Sequence, residues 1–205
     1  MTFSEALAEQ RWDDHRYYHH NRVNQALHLV SALSFITAYV LLFVDPFAAV
    51  MLAWLVAMPS RQLGHFWFEP HDYDEVNQAT HEHKEAIKVG YNLRRKTILL
   101  TIWALVPAVL LVEPTLFGAL ERPEGWYAVA QNVSRVWLVL GFAAVVARSV
   151  QLFFLRDVQT GLVWATKILT DPFHDVKLYR HAPAQVLRGE MWEQHAKEPR
   201  RADAL

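Results

Sequence analysis

Histidine is the chemistry-bearing residue of this chain: there are 11 in 205 residues, and no cysteine. Two short motifs hold those with useful spacing. One is Y-H-H-N-R-V-N-Q-A-L-H, from Tyr18 to His28; the other is G-H-F-W-F-E, from Gly64 to Glu69. They bracket an apolar hairpin. If that hairpin crosses a membrane twice, both motifs emerge on one face, and imidazoles distant in sequence become neighbours there. Without thiolates, a tightly held metal must use histidine and carboxylate, a donor set that suits iron, zinc or manganese. A centre so placed can work on lipid.

His15 and His19 are four apart and share a face if helical. His19 and His28 are nine apart and would face opposite ways on one straight helix. Asn21 and Asn24 lie between them, and both residue types cap helices well. The spacing predicts a break there, with a span starting at Asn24 and His28 one turn inside. The break lets His19 fold back toward His28, while Asn21 and Asn24 hold the turn or orient an imidazole. His65 and Glu69 again share a face, and Gly64 leaves room beside His65 for a substrate or a neighbouring backbone. Arg61, one turn earlier, either snorkels to the phosphate layer or clamps a carboxylate with its planar fork.

His19, His28 and His65 are therefore the candidate ligands, with a fourth drawn from His15, His20 or His174 in D-P-F-H-D. The bland alternative is polar packing at a membrane interface. His71, His81 and His83 are expected on a solvated helix, and His181 and His195 at the surface. Phe66, Trp67 and Phe68 read as an interfacial aromatic belt.

The elements that must position these residues follow from where charge is missing. Uncharged runs predict four spans near Asn24–Val44, Pro46–Ser60, Thr97–Val112 and Val136–Leu155, the last interrupted by Arg148. A spanning helix needs about 20 mostly apolar residues. The expected architecture is an all-α integral membrane bundle with amphipathic helices outside the bilayer. It divides into an N-terminal segment (1–24), a first hairpin (24–69), a polar helix (70–96), a second hairpin (97–155) and a C-terminal segment (156–205). The alternative is a soluble protein with buried helices. Asp45-Pro46 turns the first hairpin, and Pro59 is expected to kink the second span. The helical pattern continues through Arg61 to Glu69, and Pro70 stops it. Within 72–96, Glu75, Glu82 and Glu85 alternate with Lys84 and Lys88 as ordinary surface pairs. Glu113-Pro114 ends the third span. Thr160 to Leu169 reads as an interfacial helix broken at Asp171-Pro172, and the tail after Glu190 as disordered.

Of the 20 Lys and Arg, 17 fall in 1–24, 61–96 and 156–205, two (Arg122 and Arg135) fall between the third and fourth spans, and Arg148 lies within the fourth. The positive-inside rule then puts both termini in the cytoplasm, with every histidine on or near that face. Residues 1–24 carry no early apolar core of the signal-peptide kind. A net charge of −1 gives no reason to expect a nucleic-acid partner. The Ala- and Arg-rich tail points by composition to a bacterium, hence to an inner membrane.

The two motifs resemble those of the membrane 2-hydroxy fatty acid dioxygenase family, the small multi-span group that includes the fungal enzyme of phytosphingosine breakdown. Tyr18, His19, Asn21, Asn24 and His28 fill the first motif; Gly64, His65, Phe68 and Glu69 fill the second. The resemblance covers residues 15 to 112. It departs from the family at Arg61, where glutamine is usual, and in the short chain between the motifs. It implies an Fe(II) dioxygenase using O2 to shorten a 2-hydroxy fatty acid by one carbon, with His19, His28 and His65 on iron and Glu69 as ligand or supporting group. Two other classes fit the residues: a His-rich di-iron lipid hydroxylase or desaturase, for which His15, His19 and His20 make one box, and a non-enzymatic membrane adaptor.

Overall fold

The computed structural model of the chain describes residues 1–69, 72–74 and 77–193, and among these it contains helices and no strand. Helix α1, Phe3–Tyr18, starts in a reciprocal cap: Thr2 Oγ1 accepts from the Glu5 backbone while Glu5 accepts from the Thr2 backbone. Helix α2 is Arg22–Leu41. Asn21 caps it, accepting from the backbone N–H of Val23 (2.8 Å) and Asn24 (3.2 Å). The predicted break between His19 and His28 is present, but it falls at 19–21, so the span begins ahead of Asn24.

Helix α3 is Pro46–Trp67, started by Asp45, whose side chain accepts from Ala48 N (3.0 Å). Ala53–Ala57 form a π turn within it. Pro59 stands two residues further on, with no N–H to give and a ring that crowds the preceding turn. The wider turn takes up that misfit, and the helix runs on to carry Arg61 and His65. Pro70 lies outside the described residues.

Helix α4, His81–Ile87, corrects the long polar helix expected over 70–96. A backbone pair between Asp74 and Ala79 closes a turn first, and Thr80 then caps only seven residues. Lys84 and Lys88 are not solvated. Lys84 is 0% exposed, with Nζ 4.0 Å from Asp74 Oδ2. Lys88 Nζ lies 3.6 Å from the centroid of the Tyr18 ring. The segment folds against α1, where the Tyr18 hydroxyl donates to the Lys84 carbonyl (2.7 Å).

Helices α5, Leu93–Val112, and α6, Trp126–Leu155, form the second hairpin. The latter begins well before Val136 because its polar first turns find partners. Asn132 donates to the Glu121 carbonyl (3.0 Å), and Arg135 donates to Asn132 (3.0 Å). Arg148, inside the span, turns its guanidinium onto the Val89 carbonyl (2.6 Å from Nη2). The hairpins lock through Trp54, Trp103 and Trp137, whose rings stack, with Trp137 Nε1 donating to the Trp103 carbonyl (3.0 Å).

Four helices are long and apolar enough to cross a membrane: Arg22–Leu41, Pro46–Trp67, Leu93–Val112 and Trp126–Leu155. Their exposed apolar residues recur at helical spacing, Ile98, Ile102, Leu105 and Val109 on α5, and Val139, Phe142, Val146 and Val150 on α6. Outward stripes of this kind are compatible with contact to lipid.

Helix α7, Val158–Tyr179, corrects the expected break at Asp171-Pro172. Proline costs one backbone hydrogen bond and crowds the turn before it. Packing on α1, α2 and α6 holds the helix through that point. So does the Lys167–Asp171 pair (2.7 Å). Helix α8 is Ala182–Leu187. Beyond it the chain returns to the α1–α2 junction: Arg22 N donates to the Met191 carbonyl (2.9 Å), and Glu193 N donates to the His20 carbonyl (3.0 Å). Residues 191–193 are thus ordered, and the rest of the expected disordered tail, 194–205, lies outside the described residues. The two terminal segments meet at one end of the bundle, as four spans require.

Candidate metal centre

Local rules bring the three motif histidines to that same end. The break at 19–21 leaves His19 at the C-terminal cap of α1 and His28 on the second turn of α2. Gly64 lets α3 close on α2: a Cβ there would stand 2.2 Å from Asn24 Oδ1 and 3.4 Å from His28 Cδ2. The room beside His65 is therefore filled by the Asn24 side chain. Asn24 is held in place by donating to the Tyr18 carbonyl (2.8 Å), one residue before His19.

The result is a compact cluster. Ring centroids lie 4.2 Å apart for His19 and His28, 5.0 Å for His28 and His65, and 5.3 Å for His19 and His65. One nitrogen from each ring lies within 4.8 Å of the others. Nitrogens bound to one ion at about 2.1 Å stand no more than about 4.2 Å apart, so small ring rotations close the set. All three rings are buried: His28 is 0% exposed, His19 3% and His65 7%. Both ring nitrogens of His19 and both of His28 are buried with no hydrogen-bond partner among the described residues. Burial, and then His28, push the His19 imidazole well below its usual value, so it is neutral near pH 7, the form that binds metal.

Glu69 supports the cluster. Its Oε2 lies 2.8 Å from His65 Nδ1, so that nitrogen donates to the carboxylate and Nε2 is left for a ligand. Of the two roles the sequence allowed for Glu69, ligand or supporting group, the geometry matches the second. Tyr18 acts through its carbonyl on Asn24, and Asn21 through the cap it gives α2.

Arg61 does clamp a carboxylate, one of the protein's own: Nη1 lies 3.1 Å from Asp175 Oδ2, and Nη2 lies 4.0 Å from Asp171 Oδ2. Asp175 in turn places Oδ2 3.7 Å from His28 Nδ1. Beyond it a partly buried ion network runs through Arg11, Asp171, Lys167 and Asp14. Burial would raise the Asp14 carboxyl, but Lys167 and further positive groups nearby together outweigh it and hold it at about 2. The Tyr179 ring stands 5.9 Å from that of His19 and 6.1 Å from that of His28.

The other proposed ligands are elsewhere. His15 has both nitrogens engaged, Nδ1 with the Tyr179 hydroxyl (3.3 Å) and Nε2 with Glu193 (3.1 Å). His20 meets the Arg16 carbonyl. His174 is half-buried and outside the cluster; Asp175, one residue on and about 100° around the helix, is the group that reaches His28. His81 lines a pocket beside His65, while His83 and His181 are exposed. His71 and His195 lie outside the described residues. The metal-competent group among the described residues thus holds three histidines, and His15 and His20 lie outside it.

Asp175 and Tyr179 were missed in the sequence, yet a signal was there. Lys167, Asp171, Asp175 and Tyr179 recur every four residues, which puts them along one face of a helix if Pro172 is allowed inside it.

No protein-family model, curated protein or solved structure matches the chain.

Proposed function

We propose that His19, His28 and His65 hold one Fe(II) ion and that the protein is a membrane dioxygenase acting on 2-hydroxy fatty acids. One observation carries the metal: one nitrogen from each of His19, His28 and His65 converges within 4.8 Å, and the ring nitrogens of His19 and His28 are buried without a hydrogen-bond partner among the described residues. Leaving a buried polar atom unsatisfied costs about 1–3 kcal/mol, and a cation shared by three neutral imidazoles would remove that cost for one nitrogen of each ring. The motif residues shared with the dioxygenase family carry the choice of iron and of substrate.

Bound there, Fe(II) supplies open coordination positions for O2 and for the hydroxyl and carboxylate of the acid. The chain's own residues do the rest. Glu69 fixes the His65 tautomer through Nδ1. Asn24 and Gly64 set the distance between α2 and α3, and hence between His28 and His65. Asp175, itself fixed by Arg61, balances charge beside His28. The overall reaction needs no outside reductant. One O2 and one 2-hydroxy acid give the acid one carbon shorter, CO2 and water, with the bond between the hydroxyl-bearing carbon and the carboxyl carbon broken. The acyl chain lies among the spans, each buried methylene contributing about 0.8 kcal/mol. The charge count supports a cytoplasmic orientation for this end of the bundle, at the inner membrane in a bacterium.

The test is oxygen uptake by purified protein loaded anaerobically with Fe(II), on adding 2-hydroxyhexadecanoic acid. The expected result is one O2 consumed per pentadecanoic acid formed. An iron-loaded protein that consumes no O2 with this acid contradicts the substrate assignment.

A further inference from the structure

A small pocket of about 10 Å³, room for about one water or one carboxylate oxygen, opens beside the cluster. It is lined by His65, Glu69, His81, Glu85, Lys88, Leu93 and Lys96. Its carboxylates are already engaged. Glu69 bonds His65 through one oxygen and meets Lys88 with the other (3.5 Å). Glu85 takes Lys88 (3.0 Å) and the Leu93 backbone N–H (2.7 Å). Lys88 is thereby held between two acids and over the Tyr18 ring.

Lys96 differs. It is half-buried, on the first turn of the α5 span, and no carboxylate of the described residues pairs with it. Its neighbour Arg94 is exposed, as expected of a residue that meets lipid headgroups, whereas Lys96 lines the pocket. A cation partly withdrawn from water without a partner is costly. An anion entering from the membrane would supply the partner, and it would arrive with its chain already in lipid. Arg61, a further cation near the cluster, is occupied by Asp175.

We infer that Lys96 is the anchor for the anionic head of a single-chain lipid and that it holds this head against His65. The inference rests on the metal reading above, because it makes the His65 pocket the substrate's entry. Two sources share the chemistry, a fatty-acid carboxylate and a lipid phosphate.

Calorimetric titration of the purified protein in nanodiscs with octanoate, octyl phosphate and octan-1-ol separates them. Wild type should bind at least one of the anions more tightly than the alcohol, and the tighter anion identifies the source. K96M should weaken that anion at least about tenfold, as expected when a charged hydrogen bond is lost. It should leave the alcohol unchanged. K96R, which keeps the charge, should stay within about threefold of wild type. Equal anion affinity in K96M, equal losses for anion and alcohol, or wild type that binds neither anion better than the alcohol would each overturn the assignment. Iron content, measured on the same samples, judges the metal reading separately.

Discussion

His65→Ala should abolish iron binding while leaving the bundle helical. The three rings share one buried volume, and the other two have nitrogens without a hydrogen-bond partner among the described residues. Removing the Glu69 support of a ligand would cost about 10–100-fold in metal affinity, so removing the ligand itself costs more. His19→Ala and His28→Ala should behave alike, because among the described residues the site has no fourth imidazole in reserve: His15 is spent on Tyr179 and Glu193. His83→Ala, at an exposed position, should bind iron as wild type does. The measurement is iron per chain after anaerobic loading and desalting, with far-ultraviolet circular dichroism on the same samples. Undiminished iron in His65→Ala would remove this residue from the site.

Gly64→Ala is the second large effect, and it acts without touching a ligand. The added methyl would stand 2.2 Å from Asn24 Oδ1 and 3.3 Å from Asn24 Cγ. An exposed side chain could swing aside. Asn24 is 0% exposed and tied to the Tyr18 carbonyl, so moving it breaks that bond and loosens the turn that holds His19. The alternative is to push α3 away from α2, which separates His65 from His28. Overpacking of this kind costs about 1–3 kcal/mol. In a chain of this size that lowers Tm by about 3–10 °C. The distinguishing readout is that iron affinity falls with stability, although every histidine remains. A Gly64→Ala protein with wild-type Tm and iron affinity would contradict the close contact between α2 and α3.

What was legible in the sequence was what is local. The spans follow from missing charge, and the His65–Glu69 pair from i, i+4 spacing. The reversal between His19 and His28 follows from two asparagines at a helix start, although it is Asn21 that caps and Asn24 that reaches back. What was not legible came from long-range packing. Lys84 and Lys88 look like surface residues in the sequence and become buried only because the segment folds against α1. The interior placement of Pro172 depends on three neighbouring helices that no window of α7 contains. That one misreading hid Asp175 and Tyr179 and put His174 in their place. Residues 191–193 could not be foreseen at His15 and His20, since nothing in one sequence records a contact across more than 160 positions.

X-ray absorption on iron-loaded protein, combined with the metal count, reads the proposed centre itself. The expected result is one iron per chain with three imidazole nitrogens in its coordination sphere, lost in His65→Ala. Two irons per chain, or an ion bound without imidazole, would contradict it.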